Sequence, residues 1–177
     1  MRAWNHFMTI THHKFIVMRE CFQVGLYKQG ILHDLSKFSW TEFKVGCKYY
    51  QGNRSPNNAE RETTGMSLAW LHHKGRNKHH YEYWIDYGDR GGLTGMKMPK
   101  RYVVEMFMDR VAASKIYLKK RYTDQAPREY YDAGSQYLML HEDTRILLEK
   151  MLNMLAECGE KKTFAYIKKV ILKTPRY

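Results

Sequence analysis

Apolar residues recur at helical intervals along most of the chain. Ile10, Val17, Cys21 and Val24 repeat at seven, four and three, which puts them on one face of a helix spanning residues 5–28. His13 falls on that stripe, three residues after Ile10 and four before Val17. His12 shares a more polar face with Met8, Ile16, Arg19 and Gln23. Gly30 predicts a tight turn, followed by a short helix from about Ile31 that carries His33 and Asp34. Ser39 with Glu42 three residues on reads as a capping box that opens a helix to about Gln51. Residues 52–64 are polar, turn-rich and without period, and read as a surface loop.

Helical pattern resumes near Met66 and runs toward His73. Residues 74–78 read as a turn, 79–87 as a short aromatic helix, and 88–98, with four glycines, as a loop. Pro99 suits the first turn of a helix that extends to about Arg121. Its apolar face holds Tyr102, Met106, Ala112, Ala113 and Ile116, and Asp109 lies on the same face. Residues 124–135 read as a connection. Helices over 142–158 and 161–173 follow, divided by Gly159; Leu147, Leu148, Met151 and Leu155, then Phe164, Ile167, Val170 and Ile171, supply their core faces. No stretch alternates convincingly as a strand. The expected fold is all-α: a single compact bundle of about six to eight helices over residues 1–177, with its core in 9–120 and a C-terminal helical extension in 124–177.

Composition sharpens this picture. At 177 residues with 44% apolar and 14% aromatic content, the chain is long and apolar enough for one packed core and is not a disordered segment. No apolar run is long enough to span a bilayer, and the first residues lack the apolar stretch of a secretory leader. Three scattered cysteines, Cys21, Cys47 and Cys158, form neither a disulfide framework nor a zinc ribbon, which points to a reducing, cytoplasmic compartment. The net charge of +12 favours anionic partners. Nucleotides, nucleic acid and membrane surfaces are the anionic classes such a charge admits; the charge alone names no function, and no membrane partner is expected. The basic stretch 161–177 reads as a packed terminal helix with a lysine-rich outer face.

Histidine placement carries the chemical signal. Seven of the nine histidines are His12, His13, His33 and the pairs His72, His73 and His79, His80; His6 and His141 stand apart. Aspartate follows His33 directly, as Asp34. A lone carboxylate on an apolar helical stripe, as at Asp109, is costly unless it is paired, hydrogen-bonded or on a metal. Imidazole and carboxylate together suit zinc, manganese, iron, cobalt or nickel, and facing helices of a bundle bring such groups together.

In this order the residues resemble a known family. HDLSK at residues 33–37, preceded by Ile31 and Leu32, resembles the signature of the HD-domain superfamily of metal-dependent phosphohydrolases. That family's order of histidine, histidine–aspartate, further histidines and aspartate is similar to His13, His33 with Asp34, the 72–80 cluster and Asp109, over roughly residues 9–120. The resemblance implies a first metal on His13, His33, Asp34 and Asp109, and Asp34 bridging to a second completed by His73, His79 and His80. Either His72 or His73 faces inward, and we take His73. The gap between the first histidine and the pair is short, and the later histidines are packed within nine residues, which departs from the family pattern. Glu82, Asp86 and Glu105 are candidate acceptors for the outer nitrogens of ligating histidines.

The resemblance further implies hydrolysis of a phosphate ester or anhydride, with a nucleotide or related small molecule as substrate and one or two divalent transition-metal ions as cofactor. Asp34 and Lys37 take the catalytic roles, and Lys37, Arg54, Arg76 and Arg110 the substrate phosphate, for which ammonium and guanidinium groups are suited. Two other classes remain open: a diiron oxygenase on the same scaffold, and a non-catalytic basic module for nucleotides or nucleic acid. There is no GxxxxGK loop, no GxSxG elbow and no CxxC pair.

Overall fold

Helix α1 occupies Arg2–Val24 and ends at Gly25, whose φ of 88° lets its N–H return to the carbonyls of Cys21 and Phe22. The chain turn is therefore at Gly25, not at Gly30 as the sequence predicts. Gly30 sits inside α2 (Tyr27–Leu32). A Cβ there would come within 3.1 Å of the Met18 carbonyl and of the Cys21 and Phe22 side chains, so its bare backbone allows α2 to close on α1. The computed structural model that supplies this geometry describes residues 1–174 and 177; Pro175 and Arg176 of the basic C-terminal stretch lie outside the described residues.

Helix α3 covers Trp40–Tyr49, α4 Pro56–Thr64 and α5 Leu68–Lys74. The expected capping box does not form: Ser39 makes no side-chain cap, and Glu42 turns inward to His72 and His73. Helix α4 replaces the expected loop. Pro56 in its first turn and Gly65 at its end punctuate it, but only Ala59 and Glu60 are buried, so it has no apolar stripe to read. Likewise the expected aromatic helix over 79–87 is a 3₁₀ turn, Tyr81–Trp84, that leads into β1 (Ile85–Tyr87). β1 pairs antiparallel with β2 (Leu93–Gly95), with Ile85 opposite Gly95 and Tyr87 opposite Leu93. Strands of three residues are too short for alternation to show.

Helix α6 runs over Lys100–Leu118 and is the centre of the fold. Val103, Val104, Phe107, Met108, Val111 and Ala112 are wholly buried, so it is apolar around most of its circumference. Tyr102, Ala113 and Ile116, placed on its core face by spacing, are only half-buried. Helix α7 (Ala126–Gly134) stands where a connection was expected; it buries only Ala126, Pro127 and Tyr131. Helix α8 (Glu142–Tyr166) breaks at Gly159, with φ 76° and ψ 169°, into the two arms that the sequence predicts, and continues as a π turn over Ile167–Ile171.

The fold is all-α, with eight α-helices and one small hairpin among the described residues. Its core places α6 against Val17, Cys21 and Val24 of α1 and against Leu148, Met151, Leu152 and Leu155 of α8. Each such fully buried aliphatic side chain stabilises by roughly 1.5–3 kcal/mol. The C-terminal helices thus anchor α6 from one side, and its other side carries polar groups toward α1, the end of α2 and the turn after α5. No helix among the described residues is long and apolar enough to cross a membrane.

Candidate metal centre

A break in helical geometry aims both residues of the His33–Asp34 pair inward. Adjacent side chains on a regular helix diverge by about 100°. Here α2 ends at His33, Asp34 adopts a left-handed conformation (φ 55°, ψ 23°), and a 3₁₀ turn follows over Leu35–Phe38. A non-glycine residue there is uncommon, though aspartate tolerates it better than most. Both residues end up only 1% exposed. Helix α1 adds His13, α5 adds His73, the following turn adds His79 and His80, and α6 adds Asp109.

Two groups form. In the first, His13 Nε2 lies 2.9 Å from Asp109 Oδ1 and 3.6 Å from Asp34 Oδ2. His33 Nε2 lies 3.3 Å from Asp34 Oδ2, 3.5 Å from Asp109 Oδ1 and 3.4 Å from His13 Nε2. Ligands about 2.0–2.2 Å from one cation stand about 2.8–3.6 Å apart in octahedral or tetrahedral sites, so these four atoms match the first coordination shell of one ion. In the second group, Asp34 Oδ1 lies 3.3 Å from His73 Nε2 and 3.5 Å from His79 Nε2, with His80 beside them. Asp34 therefore offers one oxygen to each group.

Most donor atoms of the second group have no other partner. Oδ2 of Asp34 carries the Lys37 ammonium, whereas Oδ1 of Asp34 and Nε2 of His73, His79 and His80 are buried without a hydrogen-bond partner. Such atoms are costly in an interior, and a cation satisfies all of them at once. Neutral imidazoles with two carboxylates supply the charge and the lone pairs that a divalent ion requires. The residues thus fit a metal ion.

Outer carboxylates fix the rings. Glu105 Oε1 accepts from Nδ1 of His33 at 3.0 Å and of His79 at 3.1 Å. Glu42 Oε2 accepts from Nδ1 of His73 at 2.8 Å. With the outer nitrogen donating, each inner Nε2 keeps its lone pair for a metal. Burial opposes charge throughout the centre, and at its two aspartates opposite charges prevail. The neighbouring His33, Lys37 and His73 hold the Asp34 carboxyl well below its usual range. Hydrogen bonds from His13 and His33 do the same for Asp109. Burial, and then His79 and His73, push the His80 imidazolium well down, so that ring is neutral.

Burial separates the members of two histidine pairs. His13 is 7% exposed and faces the centre, whereas His12 is on the surface. His73 is 1% exposed, whereas His72 is half-buried and bonds Glu42 Oε1 at 2.7 Å from outside both groups. Lys37 Nζ reaches Asp34 Oδ2 at 2.5 Å and keeps 28% of its side chain exposed, so it stands at the rim. Asp109 keeps 19% of its side chain exposed.

The arginines proposed for substrate have differing surroundings. Arg54 makes a two-pronged pair with Glu62 on the surface. Arg110 stacks over the Tyr131 ring, 5.7 Å from its centre. Arg76, with Lys28 and Lys78, lines a hollow of about 170 Å³ that also touches His79 and Glu105. Of the candidate outer acceptors, Glu105 takes that role; Glu82 Oε2 is buried without a partner, and Asp86 sits on the hairpin. Glu42 was missed because its position invites the capping reading. The signal for Glu105 was its place one turn before Asp109 on the same helix.

Comparison with known proteins gives one match. Residues 2–154 match the model of a family of unknown function, DUF5662. No curated protein and no solved structure matches the chain.

Proposed function

The chain belongs to the DUF5662 family, whose function is unknown, and from its buried centre we propose that it is a metal-dependent phosphohydrolase of HD-domain type. The single observation that carries this reading is the carboxylate of Asp34. One oxygen faces His13 and His33 and the other faces His73 and His79, an arrangement made for two neighbouring cations. The order of these residues along the chain, resembling that superfamily, supports the same assignment.

His13, His33, Asp34 and Asp109 would hold one ion, and Asp34, His73, His79 and His80 the other. Divalent cations at these positions supply Lewis acidity and an activated water at neutral pH. The chain's own groups supply the rest. Glu105 and Glu42 keep the imidazoles aimed. Lys37, a rim ammonium held in its charged form chiefly by Asp34 against the cost of burial, takes a phosphoryl oxygen and stabilises the charge that develops there. The substrate is a phosphate ester or anhydride, a nucleotide being the leading class, approaching from the side of Asp109 and Lys37.

The test is phosphate release from a panel of nucleotides and simple phosphoesters by protein loaded with manganese, cobalt, zinc or iron. Turnover that needs metal and disappears in Asp34→Asn supports the reading. Tight metal binding with no release across the panel overturns it, and oxygen consumption by the iron form identifies an oxygenase instead.

A further inference from the structure

We propose that Glu105 is a positioning residue shared by both halves of the centre, so that one buried carboxylate sets the ion affinity of two sites. This rests on the metal-centre reading above and adds to it a dependence between the ions. The observation is that a single oxygen does both jobs. Glu105 Oε1 meets Nδ1 of His33, which belongs to the first ligand group, at 3.0 Å, and Nδ1 of His79, which belongs to the second, at 3.1 Å. The two rings lie close together, with centres 4.4 Å apart and planes inclined by 33°, which brings both Nδ1 edges to the same acceptor.

The anchor is rigid. Glu105 is 5% exposed, between Val104 and Met106 on the most buried helix, one turn before the ligand Asp109. Glu42 provides the contrast. It uses one oxygen for His73 and the other for His72, and His72 belongs to neither group. Glu42 thus supports one half of the centre and Glu105 supports both.

His33, His79 and Glu105 also lie close enough to form a cation site of their own. A cation there would occupy both Nδ1 atoms and leave each ring joined to a second cation through Nε2. That requires each imidazole to lose its last ring proton. Two N–H donors converging on a carboxylate oxygen need no such loss, and they leave both Nε2 atoms directed at the two groups around Asp34.

The experiment has two readouts besides turnover. In metal-free protein labelled with ¹⁵N at histidine, the Nδ1–H protons of His33 and His79 should both exchange slowly with water. Both signals should survive in Glu105→Gln, whose one carbonyl oxygen can still accept from both rings, and both should vanish in Glu105→Met. In a cobalt titration followed by visible absorption, Glu105→Met should weaken both binding steps, each by roughly 10–100-fold. Glu105→Gln should stay closer to wild type, and Glu42→Met should weaken only the step that uses His73.

Loss of a single step in Glu105→Met, or Nδ1–H signals that persist in that variant, overturns the proposal. Should Glu105→Met fail to fold, Glu105→Asp carries the same test, because its shorter side chain withdraws the oxygen from both rings and must lower both steps together. Wild-type protein that takes up no cobalt would instead overturn the metal-centre reading and the ion half of this proposal, and the exchange measurement would still decide whether Glu105 holds both rings.

Discussion

Glu105 and Asp109 stand one turn apart on α6 and address opposite nitrogens of one ring: Glu105 Oε1 is 3.0 Å from Nδ1 of His33, and Asp109 Oδ1 is 3.5 Å from its Nε2. The most buried helix of the fold thereby sets the plane and the protonated edge of a candidate ligand. Packing of α6 against α1 and α8 and geometry at the centre are the same fact seen from two sides. A change that shifts α6 disturbs the ligands first.

Metal content gives the first prediction. Wild-type protein should carry close to two equivalents of a transition metal after loading and desalting, read by elemental mass spectrometry. Asp34→Asn keeps the side-chain shape but loses the charge offered to both groups, and should retain almost none. Asp109→Asn affects only the group with His13 and His33, and should retain close to one. Equal loss in the two variants would rule out a bridging role for Asp34.

Much of this candidate centre was legible in the sequence because its histidines and aspartates follow the order of the motif they resemble. His13, His33, Asp34 and Asp109 are legible from periodicity and adjacency and from their resemblance to an ordered motif. The outer carboxylates were less legible, since glutamates are common on helices and only three-dimensional contact separates Glu42 and Glu105 from solvated ones. The long helices α1, α6 and α8 were legible because they bury apolar stripes. Helices α4 and α7 were not, because each buries three residues or fewer and is defined by its ends. The hairpin escaped for its length, and the turn at Gly25 was assigned to Gly30, whose real role is the close approach of α2 to α1.

Lys37 should separate binding from turnover. Replacing it by methionine removes an ammonium from beside Asp34 and leaves the imidazoles in place. Metal content should be unchanged or higher, since a competing positive charge is gone. Phosphate release should fall by roughly 10²–10³-fold, the usual cost of losing one group that stabilises developing charge. A proportional fall in metal content would make Lys37 a support of the site and remove it from the phosphate's neighbourhood.

Gly46 on α3 lies against the buried ring of His6, which packs on Phe43 and Tyr50. A Cβ at position 46 would come 2.0 Å from His6 Nε2. In an ordinary helix interior, glycine to alanine stabilises by about 1 kcal/mol. Here Gly46→Ala should destabilise by about 1–3 kcal/mol, because the ring has to move within a packed interior. In a His6→Ala background the same substitution should become neutral or stabilising. Urea denaturation of the four proteins in this cycle decides the matter; additive effects would show that the ring and the helix do not touch in solution.

Glu20 gives the pH prediction, and it belongs to none of the groups that could hold an ion. It is wholly buried on α1, with Oε1 2.7 Å from Lys115 Nζ and Oε2 without a partner. Lys115 also pairs with Glu160, so its charge is divided between two carboxylates. Burial therefore wins over the lysine and pushes the Glu20 carboxyl up from 4.5 to about 7. An acid that holds its proton more tightly when folded contributes stability that is complete below its unfolded pKa and is lost as pH rises through the folded one. The loss should run from about pH 4.5 to about 7 and then level off. Glu20→Gln keeps the oxygen that faces Lys115 and has no proton to lose. Its unfolding free energy relative to wild type should rise across that window by up to about 3 kcal/mol, and stay constant above it. Urea midpoints for both proteins at pH 4.5, 6 and 8 measure this directly. A difference independent of pH would mean that Lys115 fully compensates the buried carboxylate and that Glu20 is charged across the whole range.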